Sequence, residues 1–474
     1  MNSYLFYDVE TTGLNRAFDQ ILQFASIRTD LELNELERHH IQVRLRDDVV
    51  PSPQSLLTHG ISITEMHEGV SEYEAMRQIH RMLNRPGTIS LGYNSLGFDD
   101  EMMRFGFYRN LLSPYTHQYA DGCGRMDLFP MTILYWLYKP DVVKWPDING
   151  TTSLKLEMIN DLNQLAPGKA HDAMVDVTAS LALARRLRTE AQMWDYVCGF
   201  FDKQTDTERA RQLPVSIESA DGAHQMALMV ASEFGTENQF QAPTLHIGGS
   251  TPYKNQNLWL RLDLPELAQT SGDTIAATTW VVRKRFGDVG ILLPPLERFW
   301  QRLAPEHRQL AEENQRWIAA RPDLLTEIID YHREFRYPEV PDLDADAALY
   351  DLGFPSNRDA GLCRKFHTAD VDEQVKILDL FENKSYQQLA IRLLARNHAG
   401  KLPRRINAEF NRYLERVNPP TQKLALLDYR NQPRLTPKAA LLEIEEIRAR
   451  NELGPAQGRL LTDLEGYLRQ NFNV

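Results

Sequence analysis

Asp8 and Glu10 in YLFYDVETTG, Asp99 in YNSLGFDDE, and His171 with Asp176 in AHDAMVD are the residues of this 474-residue chain whose types and spacing could do chemistry together. Four carboxylates can hold two divalent cations about 3.5–4 Å apart, with one lowering the pKa of an attacking water and the other steadying a leaving oxygen. His171, with an unperturbed pKa of about 6.5, is the candidate general base beside them. The chemistry this set could perform is hydrolysis of a phosphodiester bond.

Each member also has a plainer reading. In a strand, alternate side chains share a face, so Asp8 and Glu10 point one way while Tyr7 and Val9 point the other. An isolated Asp-x-Glu is usually two solvated acids, but the flanks here are apolar and aromatic and imply a buried strand. Two buried carboxylates without a cation are strongly disfavoured. Asp99 follows the strand-like TISLGYN and opens a helical pattern. With Asp100 and Glu101 it could serve only the positive end of the helix dipole; Asn94 and Phe98 are expected to fix a turn that brings it over the sheet instead. His171 and Asp176 stand about 140° apart on a regular helix and cannot face one site from within it. Pro167-Gly168 predicts a helix starting near Asp172, with His171 on the entering loop. The plain alternative is an inert surface histidine.

The elements that must position these residues are legible as patterns. Strands are predicted at YLFYDVE, FASIRTD, HHIQVRL and TISLGYNS. Helices are predicted at EYEAMRQIHRMLN, DDEMMRFGFYRNLL and DAMVDVTASLALARRLRTEA, giving a mixed-sheet α/β domain up to about 190. From about 205 to 340, TLHIGGSTPYKNQNLWLRLDL and TIAATTWVVRKRFGDVGILL read as strands with helical decoration. YPEVPDLDADAALYDLGFPS, rich in Pro and Asp, reads as a linker, and the segments beyond it read as amphipathic helices. No apolar run approaches the roughly 18 residues that span a bilayer. MNSYLFYDVE lacks the basic start of a signal peptide. Three cysteines, Cys123, Cys198 and Cys363, fit neither a disulfide framework nor a zinc site. A cytoplasmic, soluble protein is expected. The net charge of −12 does not exclude a nucleic-acid partner, since only a local surface need be basic; residues 401–474 carry 13 Lys/Arg against 9 Asp/Glu.

LGYNSLGFDDEMMRFGFYRN, WPDINGTTSLKLEMIN, AHDAMVDVTASLALARRL and, later, LLARNHAGKL resemble the bacterial exonuclease I family, within the DEDDh branch of the DnaQ-like exonuclease superfamily. The resemblance implies an RNase H-like exonuclease domain (1–190), an SH3-like β-containing domain with helical decoration (191–342) and an all-helical domain (343–474). These would close together around single-stranded DNA. It implies a processive 3′→5′ exodeoxyribonuclease of DNA repair, monomeric, using two Mg²⁺ ions with Mn²⁺ as a substitute. Asp8, Glu10, Asp99 and Asp176 would ligate metal and His171 would act as base. Glu10, Lys155, Arg104, Tyr115 and Tyr119 would contact substrate, with Arg404 and Arg405 in the basic C-terminal segment. Arg321, Tyr196 and Lys139 resemble a pocket for the acidic tail of single-stranded DNA-binding protein, although Ala304 stands where a basic residue is expected.

Two other readings share the five central residues. One is an RNA-trimming or proofreading exonuclease, which the nearly 300 residues after the first domain disfavour. The other is an inactive DNA-binding scaffold, which has no need of all five. On the leading reading, the helices after about 345 form a clamp whose removal leaves a nuclease that still cuts.

Overall fold

The computed structural model describes residues 2–168, 172–398, 400–450, 453–472 and 474. The chain divides into two compact units: Met1–Gly124, Ala166–Ala179 and Pro338–Val474 form one, and Arg125–Leu165 with Ser180–Tyr337 the other.

In the first unit β1 (Ser3–Thr11), β2 (Ile21–Thr29), β3 (Glu35–Gln42) and β4 (Thr88–Gly92) run in the order β3-β2-β1-β4 within a five-stranded sheet. β1 is antiparallel to β2 and parallel to β4, and β2 is antiparallel to β3, so the sheet is mixed. The alternation along β1 decides what each face does. Leu5, Tyr7 and Val9 enter a core with Ala75, Met76 and Ile79 of α1 (Glu72–Leu83) and Met102, Met103 and Phe107 of α2 (Asp99–Arg109). Asp8 and Glu10 are left on the opposite face.

The second unit holds a six-stranded antiparallel sheet built from β5 (Val215–Ser219), β6 (Gly222–Val230), β7 (Gln241–Gly249), β8 (Asn257–Arg261), β9 (Val281–Lys284) and β10 (Ile291–Leu293). Trp259, Met229 and Phe234 are buried in its core. One strand expectation fails at its start. Ile275–Thr278, inside TIAATTW, is a helical turn whose Thr278 and Thr279 hydroxyls donate back to the carbonyls of Thr274 and Ile275. β-Branched residues are poor evidence for a strand where their hydroxyls can bond the preceding turn.

The Pro- and Asp-rich stretch before the C-terminal helices is not a solvated linker. Ala345–Tyr350 forms a 3₁₀ turn buried from Ala345 to Leu349. Asp344 is paired with Arg392 (Oδ2 to Nη2, 2.9 Å), and Asp346 lies 3.1 Å from the same guanidinium, which comes from the helix α4 (Lys384–Asn397) packed on it. Composition reads such aspartates as hydrated; here arginines make their burial tolerable.

That pairing extends into a buried network joining the two ends of the chain. Asp48 accepts from Arg396 Nη2 (2.8 Å) and from the Tyr413 hydroxyl (3.2 Å), which also donates to Asp346 (2.9 Å). Glu72 accepts from Arg46 (2.7 Å) and Arg109 (3.0 Å). Burial alone would raise the Asp48 carboxyl, but Arg396, Arg46 and Arg434 outweigh it and hold it well below the usual carboxylate range. Glu72 is likewise opposed by burial and brought down to about 2 by Arg46, Arg109 and Arg396. Around the network Phe18, Phe105, Tyr108 and Leu111 share one apolar core with Leu349, Phe366, Leu389 and Ile406. The C-terminal helices are therefore part of the domain that carries the sheet. Cutting the chain near 345 would strip that core and take Arg396 and Tyr413 away from Asp48, so the part that remains is not expected to keep the sheet-bearing domain intact.

Asp48→Asn should destabilise the protein by about 3–5 kcal/mol, because it leaves buried guanidiniums uncompensated. Denaturant titration checks this. Glu72 has a depressed pKa, so its contribution is complete above pH 4.5 and is lost as pH falls towards about 2. Glu72→Gln should flatten the acid limb of stability over that window in pH-dependent melting.

Candidate functional site

The site begins where β1 ends. β1 pairs with β2 in regular register up to Glu10–Gln23, then shifts so that Thr11 opposes Ile21. Such a bulge re-aims side chains at a strand's end. The turn beyond is fixed by hydroxyls: Thr11 Oγ1 donates to the Gly13 carbonyl (2.9 Å) and Thr12 Oγ1 to Asp19 Oδ1 (2.8 Å), while Asp19 Oδ2 accepts from the Asn15 N–H (2.8 Å). A Cβ on Gly13 would sit 2.5 Å from the Asp19 carboxylate, so only glycine lets the chain close over that anchor.

Asp99 arrives from the other side of β1. β4 ends at Gly92, Asn94 adopts the left-handed conformation (φ 61°), and a 3₁₀ turn at Ser95–Gly97 leads into α2, whose first residue is Asp99. The three acids of that first turn take different tasks. Asp99 is buried and its charge acts on Asp8 and Glu10. Asp100, fully buried, binds His117 Nε2 (3.0 Å) and pairs with Arg104. Glu101 accepts from Tyr350 (3.0 Å), Tyr429 (3.2 Å) and Arg430 (2.9 Å), and lies 3.3 Å from Arg16 Nε. Asp100 and Glu101 thus do more than meet a helix dipole.

Asp176 comes from α3 (Ala173–Leu187). Asp172 caps that helix, its Oδ1 accepting from the Met174 and Val175 N–H groups (3.0 and 3.3 Å), which places the start where Pro167-Gly168 predicted it. His171 lies outside the described residues.

Asp8, Glu10 and Asp176 each bring a carboxylate oxygen within 4.8 Å of the others. Burial, then Asp99, Glu10, Asp176 and Asp172, push the Asp8 carboxyl well above its usual range. Burial, then Asp176, Asp99 and Asp172, push Glu10 up to about 8. The neighbours that act most on Asp8 and Glu10 are other carboxylates, in contrast to the arginines around Asp48. An all-oxygen donor set of this kind suits a hard divalent cation such as Mg²⁺.

The comparisons agree with this geometry. The family described as exonuclease matches residues 5–184. The chain carries an exonuclease domain. It is similar to exodeoxyribonuclease I of Escherichia coli, 28% identical across 87% of this chain and 89% of that one. Exodeoxyribonuclease I of Buchnera aphidicola subsp. Schizaphis graminum is 33% identical over 55% of this chain and 53% of its own. In three dimensions E. coli exonuclease I in complex with a dA16 oligonucleotide superposes with a TM-score of 0.85 at 24% identity, covering 99% of this chain and 100% of that one. The fold is the one that the resemblance implied: an RNase H-like mixed sheet, a β-containing part and a helical C-terminal region.

The remaining predicted contacts fall in varied surroundings. Beside the exonuclease cluster, Arg104 is buried and committed to Asp100, with the Tyr115 ring 5.9 Å from its guanidinium. Its guanidinium thus joins the acid of α2 to the 115–119 segment, for which substrate contacts are expected. Tyr115 is half-buried against Phe354, whereas Tyr119 is 65% exposed. Arg404 is exposed, and Arg405 is paired with Asp379 at 3.0 Å. In the second unit Lys155 is exposed at the cap of helix Leu156–Asn163. Lys139 is paired with Glu190 (2.6 Å), Arg321 lies on the Trp317 ring (4.5 Å), and Tyr196 lies under Arg209 (4.2 Å). Ala304 precedes helix Pro305–Ala319. Asp19, His117 and the partners of Glu101 escaped the sequence reading; none has a local motif, and only Thr-Thr-Gly hinted at the Asp19 anchor.

Glu10 has a raised pKa, so in the metal-free protein its contribution to stability is complete below pH 4.5 and is lost as pH rises through about 8. Mg²⁺ should therefore raise the melting temperature more at pH 8 than at about pH 5. Asp8→Asn should be more stable than the parent without metal at pH 8, yet gain little from Mg²⁺. Melting curves with and without EDTA check both expectations.

Proposed function

We propose that the protein is a 3′→5′ exodeoxyribonuclease that hydrolyses single-stranded DNA to 5′-mononucleotides. The observation that carries this reading is the convergence of Asp8, Glu10 and Asp176 on one point, under the added charge of Asp99. The naming of the relatives as exodeoxyribonuclease I, and the oligonucleotide held by the E. coli neighbour, support DNA as the substrate.

In this mechanism Asp8, Glu10, Asp99 and Asp176 hold two divalent cations, Mg²⁺ by preference, which supply water activation and charge neutralisation at the leaving oxygen. Glu10, at the bulged end of β1, also meets the terminal nucleotide. His171, which directly precedes Asp172 in the sequence, accepts the proton of the attacking water, a role suited to a group whose unperturbed pKa is near neutrality. Asp172 caps α3 and so fixes where the helix that carries Asp176 begins. Arg104 and His117 neutralise Asp100, which leaves Asp99 as the carboxylate that faces the metals from α2. Lys155 supplies a cation to a phosphate, while Tyr115 and exposed Tyr119 present ring faces to bases.

The test is incubation of 5′-labelled single-stranded DNA, duplex DNA and RNA with Mg²⁺ or EDTA. Shortening of the single-stranded DNA alone, from the 3′ end and only with metal, is the expected outcome. Trimming of RNA in preference would overturn the choice of substrate. Asp8→Ala and Asp176→Ala should abolish cleavage while leaving DNA binding measurable. His171→Ala should lower turnover about 10²–10⁴-fold and flatten the acid limb of the pH–rate profile. An unchanged rate and acid limb would place His171 outside the chemistry.

A further inference from the structure

β3 is an edge strand, and a groove of about 560 Å³ opens between it and the last turn of α1. Its lining includes Arg28, Arg38, His39, His40, Arg81 and Arg85, with Glu37 as the acid among them. Charged side chains on an edge strand usually do no more than block pairing with another sheet. Three features here exceed that need. Arg28 at the floor is only 2% exposed, held by Ser3 Oγ (2.7 Å), Thr88 Oγ1 (2.9 Å) and the Met82 carbonyl (2.7 Å). Its Nε makes no hydrogen bond and lies 3.4 Å from Glu37, whose carboxylate is shared with Arg85 (2.8 Å) and His39 (3.5 Å). Arg81 and His40 have no hydrogen-bonding or ionic partner among the described residues. In a chain of net charge −12 this is a concentration of positive charge without enough acid to match it.

Burial and the nearby Arg85 lower the pKa of Arg28, and Glu37 offsets them only in part. The anion's chemistry can be narrowed. Ile41 and Met82 are the groove's apolar lining. An acidic protein segment binds tightly when apolar or aromatic anchors seat in pockets, whereas a phosphodiester backbone binds through Lys and Arg charge alone. The groove also belongs to the sheet that carries the carboxylates. It opens on the α1 side of that sheet, opposite Asp8 and Glu10, and β3 is the edge two strand spacings or ~10 Å from β1, so a nucleic-acid strand running from the carboxylates to the groove would round that edge.

We propose that this groove is a second nucleic-acid site, in which Arg81 and Arg85 hold phosphates of single-stranded DNA beyond the nucleotides at the carboxylate cluster. This rests on the reading of the substrate as single-stranded DNA.

The test uses the full-length protein in EDTA, so that binding is measured without cleavage. Oligothymidylates of about 4 and about 20 nucleotides, the range spanned by single-strand sites, are titrated by fluorescence anisotropy at several salt concentrations. Parent and R81Q/R85Q are compared, with melting curves to show that both are folded. The variant should bind the long strand ~10-fold more weakly, with a salt slope smaller by about 1.4, two contacts at about 0.7 each. The short strand should be unaffected. An unchanged slope and affinity for the long strand would overturn the proposal. So would a parent that binds neither strand, or a variant that keeps DNA but loses an acidic oligopeptide (decaglutamate) that the parent binds, which would assign the groove to an acidic protein. A parent that binds the long strand through these arginines, yet cuts no DNA with Mg²⁺, would fail the functional reading and leave the groove standing.

Discussion

Negative charge is forced together at the end of β1, and the surrounding structure can be understood as what keeps it there. Strand alternation puts Asp8 and Glu10 side by side where burial already disfavours their ionisation, and α2 adds Asp99 while α3 adds Asp176. Left to themselves such groups would separate or take up protons. They are prevented from separating because each is mounted on a regular element whose other face is locked in a core. Tyr7 and Val9 are packed against α1 and α2 behind Asp8 and Glu10. The Thr12–Asp19 hydrogen bond closes the turn in front.

The same chain handles buried acids in a second way a short distance along the sequence. Asp48, Glu72, Asp344 and Asp346 are buried at least as deeply as the site carboxylates, yet arginines pull Asp48, Glu72 and Asp346 below their ordinary range. The contrast separates the two kinds of acid. Where guanidiniums surround a carboxylate, the charge serves packing and specificity of assembly. Where carboxylates crowd one another, as at Asp8 and Glu10, a divalent cation from solution would relieve the repulsion. Burial alone would not have distinguished these groups; the sign of their neighbours does.

The strands and helices that carry the site were legible because local patterns define them. Alternation in YLFYDVE, three- and four-residue spacing in α1 and α2, and Pro167-Gly168 before α3 each place an element and its orientation. Asp8, Glu10, Asp99 and Asp176 could be grouped because they sit at the ends of those elements. What stayed hidden depends on residues far apart in sequence. YPEVPDLDADAALY looks like a linker until Arg392 and Arg396 are brought to its aspartates, and Arg104 looks available until Asp100 is seen to hold it. TIAATTW misled for a different reason, because threonine hydroxyls can bond within a helical turn as readily as their branched Cβ atoms favour a strand.

Glu101 stands two residues from Asp99 but takes its partners from the far end of the chain: Tyr350, Tyr429 and Arg430, the last 329 positions away. Contacts of such separation form late, after a long loop has been closed. During synthesis the polypeptide emerges from its N-terminus first, so the strand bearing Asp8 and Glu10 leaves the ribosome long before Arg430. The carboxylate cluster therefore cannot reach its final setting until almost the whole polypeptide has been made. A chain that terminates early carries the clustered carboxylates without the C-terminal partners of the helix that bears Asp99, and completion of translation becomes the step that finishes the site.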